Sequence, residues 1–109
     1  MADSLIQLRR GSLELAVLAL LHSEPRYGVE IVEALADRPG LEASSGTVYP
    51  LLTRLKNAGL VETTWQESPL GPPRKYYTLS ADGRDRLARY REAWQTITST
   101  IAHLLKETR

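Results

Sequence analysis

Two sets of polar side chains in this 109-residue sequence are arranged so that they could do chemistry. Within "SGTVYPLLTRLKN", Thr47, Tyr49, Thr53, Arg54 and Asn57 are spaced to turn away from Val48, Leu51, Leu52 and Leu55 on a helix. Hydroxyls and a guanidinium on one outward arc suit hydrogen bonding to phosphate oxygens and base edges. Arg74 and Lys75 form the second set, set between two β-prone runs just after the turn-rich "ESPLGPP". Paired cations near a hairpin tip suit a polyanion backbone.

Other chemistries lack their residues. Cysteine is absent, which removes disulfides, thiolate zinc sites and cysteine nucleophiles, and is expected of a protein kept in a reducing cytoplasm. His22 and His103 lie far apart and outside any metal-ligand spacing, so no metal and no cofactor is expected. The serines of "HSEP" and "ASSG" lack the strand-turn-helix setting of a nucleophile elbow, and the glycines form no phosphate-binding fingerprint. An enzyme is not expected. Leu15 to Leu21 is the longest apolar run, far short of the roughly 20 residues that cross a bilayer, and "MADSLIQLRRG" does not read as a signal segment. With 14 basic and 13 acidic residues the net charge is +1, so the placement of charge, and not its sum, decides the partner.

Positioning those residues calls for three helices, a hairpin and a long final helix. Ser12 is the expected N-cap of "SLELAVLALLHSE", which carries Leu13, Val17, Leu20 and Leu21 at helical spacing until Pro25. A shorter helix in "YGVEIVEALADRPG" turns Ile31, Val32 and Leu35 inward and stops at Pro39 and Gly40. Ser44 or Ser45 caps the third, Gly59 ends it, and Pro50 suggests either a distorted start or one later than Ser45. "LVETTWQ" and "RKYYTLS" read as hairpin strands joined by a loop too long for a two-residue turn, with Pro72 and Pro73 outside the ladder and Tyr76 and Tyr77 bracing opposite faces. Ser80 caps a last helix running to Lys106, about 39 Å at about 1.5 Å per residue. Along it Leu87, Tyr90, Trp94, Ile97, Ile101 and Leu104 follow at spacings of three and four, a stripe too apolar to leave wet.

Helix, helix, capped helix and hairpin is the order of a winged helix-turn-helix. "RRGSLELAVLALL", "YGVEIVEAL", "SSGTVYPLLTRLKNAGLV" and "GPPRKYYTLSADGRDRL", followed by the helix containing Trp94, resemble a PadR-family transcriptional regulator of the short type over almost the whole chain. The resemblance implies a mainly α fold with a small β-hairpin: a winged helix-turn-helix domain over residues 1–80 and a dimerisation helix over 81–109. It implies a homodimer on double-stranded DNA with an inverted-repeat operator, touched by Tyr27, Ser45, Thr47, Tyr49, Thr53, Arg54, Arg74 and Lys75. Leu87, Tyr90, Trp94, Ile97, Ile101 and Leu104 are the expected dimer contacts. A repressor released by a small aromatic or apolar effector is the implied mode of action, with Trp94 and outward Val17 and Leu21 walling the effector site. A competing expectation is a winged-helix protein-interaction module without DNA binding. Three features depart from the family pattern: Pro72 stands where a basic residue is frequent, Lys56 and Asn57 follow the recognition-helix leucine where an acidic residue is common, and Val29 stands where an aromatic is frequent.

Overall fold

The computed structural model describes residues 11–108. Helix α1 spans Ser12–Ser23, and its N-cap is Gly11 in the left-handed region at φ 86°, so Ser12 is the first helical residue and not the cap. The chain breaks at Glu24 and Pro25, then forms a two-residue strand β1, Arg26–Tyr27, that the sequence pattern did not suggest. Helix α2, Gly28–Ala36, follows at once; the Glu30 carboxylate accepts the Tyr27 N–H at 3.1 Å, satisfying a donor that the first turn leaves open.

Helix α3 spans Ser45–Asn57 with Ser44 as N-cap. The Ser44 carbonyl accepts from the N–H groups of Thr47 and Val48, each at 3.0 Å, while its hydroxyl makes no capping bond. The helix does not start late to spare Pro50, which lies in its second turn. Pro50 and Gly46 are both exposed, so water can serve the Gly46 carbonyl that the proline leaves without its helical donor. At the other end Gly59, φ 77°, reverses the chain: the Leu60 N–H reaches the Leu55 carbonyl at 2.9 Å and the Gly59 N–H reaches Lys56 at 3.0 Å. Those two bonds make the glycine-terminated helix end expected from the sequence.

Strands β2, Val61–Ser68, and β3, Gly71–Leu79, pair antiparallel, and β1 adds to the other side of β3 to give the order β1-β3-β2. Only Pro69 and Leu70 separate the hairpin strands, so the connection is short and not long. Pro72 and Pro73 lie inside β3, where the pairing shifts from Gln66↔Arg74 to Ser68↔Gly71. β1 extends no further along β3 than Tyr76, leaving the prolines at a bulge with one open side, where a missing N–H breaks little of the ladder.

Helix α4, Ala81–Glu107, has Ser80 as N-cap, as expected. The Ser80 hydroxyl accepts the Gly83 N–H at 3.0 Å and donates to the Gly59 carbonyl at 2.6 Å, tying the end of α3, the end of β3 and the start of α4 at one atom. Gly83 sits in the first turn of α4, buried against the chain; a Cβ there would lie 2.0 Å from the Leu60 carbonyl oxygen. Leu18, Ile31, Leu35, Leu52 and Leu55 from the first three helices are fully buried, and Tyr77 and Leu79 of β3 and Leu87 of α4 complete the same core. Burial of these apolar side chains is the main force holding the elements together. Beyond Tyr90 every described residue of α4 except the half-buried Thr98 is exposed.

Candidate nucleic-acid interface

The outer arc of α3 presents Ser45, Thr47, Tyr49, Thr53 and Arg54, all exposed. They differ in what they can offer. The Thr53 hydroxyl donates to the Tyr49 carbonyl at 3.1 Å, so its proton is committed and it meets a partner as an acceptor, suited to a base amino group more than to a phosphate. Arg54 makes no ion pair among the described residues and keeps its donors free. Lys56, absent from the sequence-derived site, is exposed two turns after Tyr49 on the same side of the helix; the seven-residue spacing was the available signal.

Tyr49 is 40% exposed, but its ring is not free in solvent. It covers Gly28, whose missing side chain leaves the space: a Cβ at that position would lie 2.4 Å from Tyr49 Cε1 and 2.6 Å from its hydroxyl. The outward helix is thereby seated on the first turn of α2, with the hydroxyl edge of the ring at the junction.

Next to Gly28, Tyr27 faces the wing. Its backbone pairs with Tyr76 in the sheet, the two rings meet edge to face at 5.3 Å and 71°, and the Arg74 guanidinium lies 4.6 Å from the Tyr27 ring centroid. Lys75, one residue on, necessarily points to the opposite face of the strand. There its ammonium lies 5.9 Å from the Trp65 ring and 5.8 Å from the Tyr77 ring. The two cations therefore do not form one tip patch; they occupy the two faces of the wing, some residues back from the tip at Pro69 and Leu70. Tyr76 and Tyr77 divide between the faces as expected: Tyr76 meets the Tyr27 ring edge to face, while Tyr77 enters the core at 6% exposure and burial raises its phenol pKa.

The stripe on α4 is divided by depth. Leu87 belongs to this chain's own core, and Tyr90 is half-buried, with Arg86 donating to its hydroxyl at 3.3 Å. Trp94, Ile97, Ile101 and Leu104 are exposed by 47, 56, 47 and 54%, and Leu105 extends the apolar surface. Trp94 borders a cavity of about 270 Å³ whose walls are Gly11, Ser12, Leu15, Tyr90, Ala93 and Ile97. Val17 and Leu21 do not face it; they are 0 and 2% exposed, inside the core. α1 is apolar around most of its circumference, so composition did not distinguish its inner face from the one bearing Leu15.

Among the described residues no helix is long and apolar enough to cross a membrane, and no three His, Cys, Asp or Glu side chains gather to hold a metal ion.

Comparison with known proteins follows the same lines. The profile of the transcriptional regulator PadR-like family matches residues 17–89. The crystal structure of a PadR family transcriptional regulator from Eggerthella lenta DSM 2243 is similar with a TM-score of 0.86 at 35% identity, covering 99% of this chain and 93% of that one. A PadR-like transcriptional regulator from Bacillus cereus strain ATCC 14579 superposes with a TM-score of 0.83 at 34% identity over 91% of this chain and 96% of its own. An uncharacterised protein of Lysinibacillus sphaericus is 27% identical over 94 residues, 84% of this chain and 86% of that protein.

Proposed function

The chain belongs to the transcriptional regulator PadR-like family, and from that premise we propose that it acts as a homodimeric repressor released by a small aromatic or apolar effector. Membership carries DNA-binding regulation; the dimer, the direction of regulation and the effector are the proposal. One observation supports it above the rest: after Tyr90, α4 leaves its own core while keeping Trp94, Ile97, Ile101 and Leu104 on one exposed stripe. An exposed stripe of that size on a helix is stable in water when a second helix covers it.

In this reading two copies pair through α4 and set their α3 helices into successive major grooves, roughly 34 Å apart, so the operator is an inverted repeat. Ser45, Thr47, Tyr49, Thr53 and Arg54 face the bases and backbone, and Arg74 and Lys75 reach phosphates from the wing. The effector stacks on Trp94 beside Leu15 and Tyr90 in the cavity at the root of the α4 stripe. It releases DNA only by binding one separation of the two α3 helices better than the other, because equal affinity for both shifts nothing.

The test is a titration of planar aromatic and phenolic compounds, followed by tryptophan fluorescence and by release of DNA fragments selected for binding, in the parent and in Trp94→Ala. Quenching coupled to release in the parent, lost in the variant, is the expected result. A parent that binds none of these compounds and holds its DNA throughout overturns the effector reading. An interaction module without DNA function remains the second reading, and a parent that selects no fragment would favour it.

A further inference from the structure

Tyr27 carries an aromatic ring, a backbone pairing and a helix start in one residue, and each is used. Its N–H is held by Glu30 at 3.1 Å, its backbone pairs with Tyr76, and its ring meets the Tyr76 ring edge to face. The first two hold the Tyr27 backbone and the third touches its ring, and the Arg74 guanidinium carbon lies 4.6 Å from the centre of that ring.

From this geometry we infer that Tyr27 is a positioning residue: it holds Arg74 in advance of binding so that the guanidinium edge reaches a DNA phosphate. The inference rests on the DNA-binding reading and assigns Tyr27 no direct contact. A guanidinium that lies face-on to a ring leaves the N–H donors around its edge available for bidentate contact with phosphate. A long side chain on an exposed strand otherwise loses its rotamer freedom when it grips a partner, and the ring has removed part of that freedom beforehand. Lys75 lies farther from its rings, 5.9 Å from Trp65 and 5.8 Å from Tyr77, and its ammonium has no planar fork to orient toward a phosphate. Continuity with α3 adds a second role. Tyr27 is followed by Gly28, which lies under the Tyr49 ring, so the wing cation and the outward helix are indexed to one dipeptide at the start of α2.

The experiment is a double-mutant cycle on the full chain, with Tyr27→Leu, Arg74→Ala and their combination, plus Tyr27→Phe. Affinity for a fluorescently labelled mixed-sequence duplex is measured across a salt series, at a temperature where each variant is folded. The Arg74 side-chain N–H resonance is followed without DNA. Tyr27→Leu should weaken binding by about threefold to tenfold and lower the salt slope. It should change nothing further in the Arg74→Ala background, and should shift the Arg74 resonance as the ring current is lost. Tyr27→Phe should restore affinity and resonance. Equal cost of Tyr27→Leu in both backgrounds, or failure of Tyr27→Phe to restore binding, overturns the inference and makes Tyr27 a contact in its own right. An Arg74 resonance unmoved by Tyr27→Leu overturns the stack. A parent that binds no duplex overturns the DNA reading and this inference together, while the resonance alone still reports whether the stack exists.

Discussion

Tyr49 of α3 lies so closely over Gly28 of α2 that a methyl group at position 28 would stand 2.4 Å from the tyrosine Cε1. The two helices of the helix-turn-helix therefore meet through a ring and an absent side chain. Gly28→Ala should destabilise the fold by about 1 to 3 kcal/mol, the usual range for forcing atoms into filled space, or displace Tyr49 from its seat. Urea denaturation of Gly28→Ala alone and with Tyr49→Ala checks it. The alanine at 28 should cost much less once the ring is gone; equal cost in both backgrounds would mean that the ring is not what fills the site.

Gly83 has less room to yield. Its missing Cβ faces the Leu60 carbonyl oxygen at 2.0 Å, which is backbone and cannot rotate aside as a tyrosine can. Gly83→Ala should cost about 3 kcal/mol or more, or lift the first turn of α4 from the core, even though alanine is the better helix former by about 1 kcal/mol. Denaturation of this variant beside Ala88→Gly, an exposed site on the same helix, separates clearance from helix propensity: only the second should follow propensity.

Arg74 and Lys75 face opposite sides of the wing, so a wing entering a groove edge-on brings one cation toward each phosphate wall. Replacing either with alanine should lower the slope of log affinity against log salt by about 0.9, and replacing both by about 1.8. Anisotropy titrations across a salt series test this. A double variant no worse than one single variant would show that only one face touches DNA.

Ile97 and Ile101, exposed by 56 and 47%, lie where the proposed dimer closes. Ile97→Asp with Ile101→Asp should produce a folded monomer, since buried unpaired carboxylates oppose association and neither residue serves the chain's own core. Sedimentation together with circular dichroism is the measurement; an unchanged dimer would place the interface elsewhere.

Tyr77 supplies a pH prediction. Burial raises its phenol pKa in the folded chain, so the folded state keeps the proton longer than the unfolded state does. The stability from keeping this phenol neutral is complete below its ordinary pKa of about 10 and is lost as pH rises through the higher folded value. Comparing urea midpoints of the parent and Tyr77→Phe from neutral to strongly alkaline pH should show the parent losing the extra stability. Parallel curves would remove Tyr77 as the cause.

Features governed by near neighbours in the chain were legible without coordinates. Ser80 before "ADG" and Gly59 after "LKNA" mark helix ends because capping is a matter of a few consecutive residues. The inward set of Val48, Leu51, Leu52 and Leu55 followed from period alone, and so did the α4 stripe. What only the tertiary structure decided depended on which segment lay opposite. α1 offers apolar side chains in most directions, and packing, not composition, buried Val17 and Leu21 while leaving Leu15 at the Trp94 cavity. Pairing register set Arg74 and Lys75 on separate faces, and the short reach of β1 let Pro72 and Pro73 stay within a strand. Nothing in the chain singled out Gly28 or Gly83, yet each is a clearance, one for a ring and one for a carbonyl, that exists only when distant residues come together.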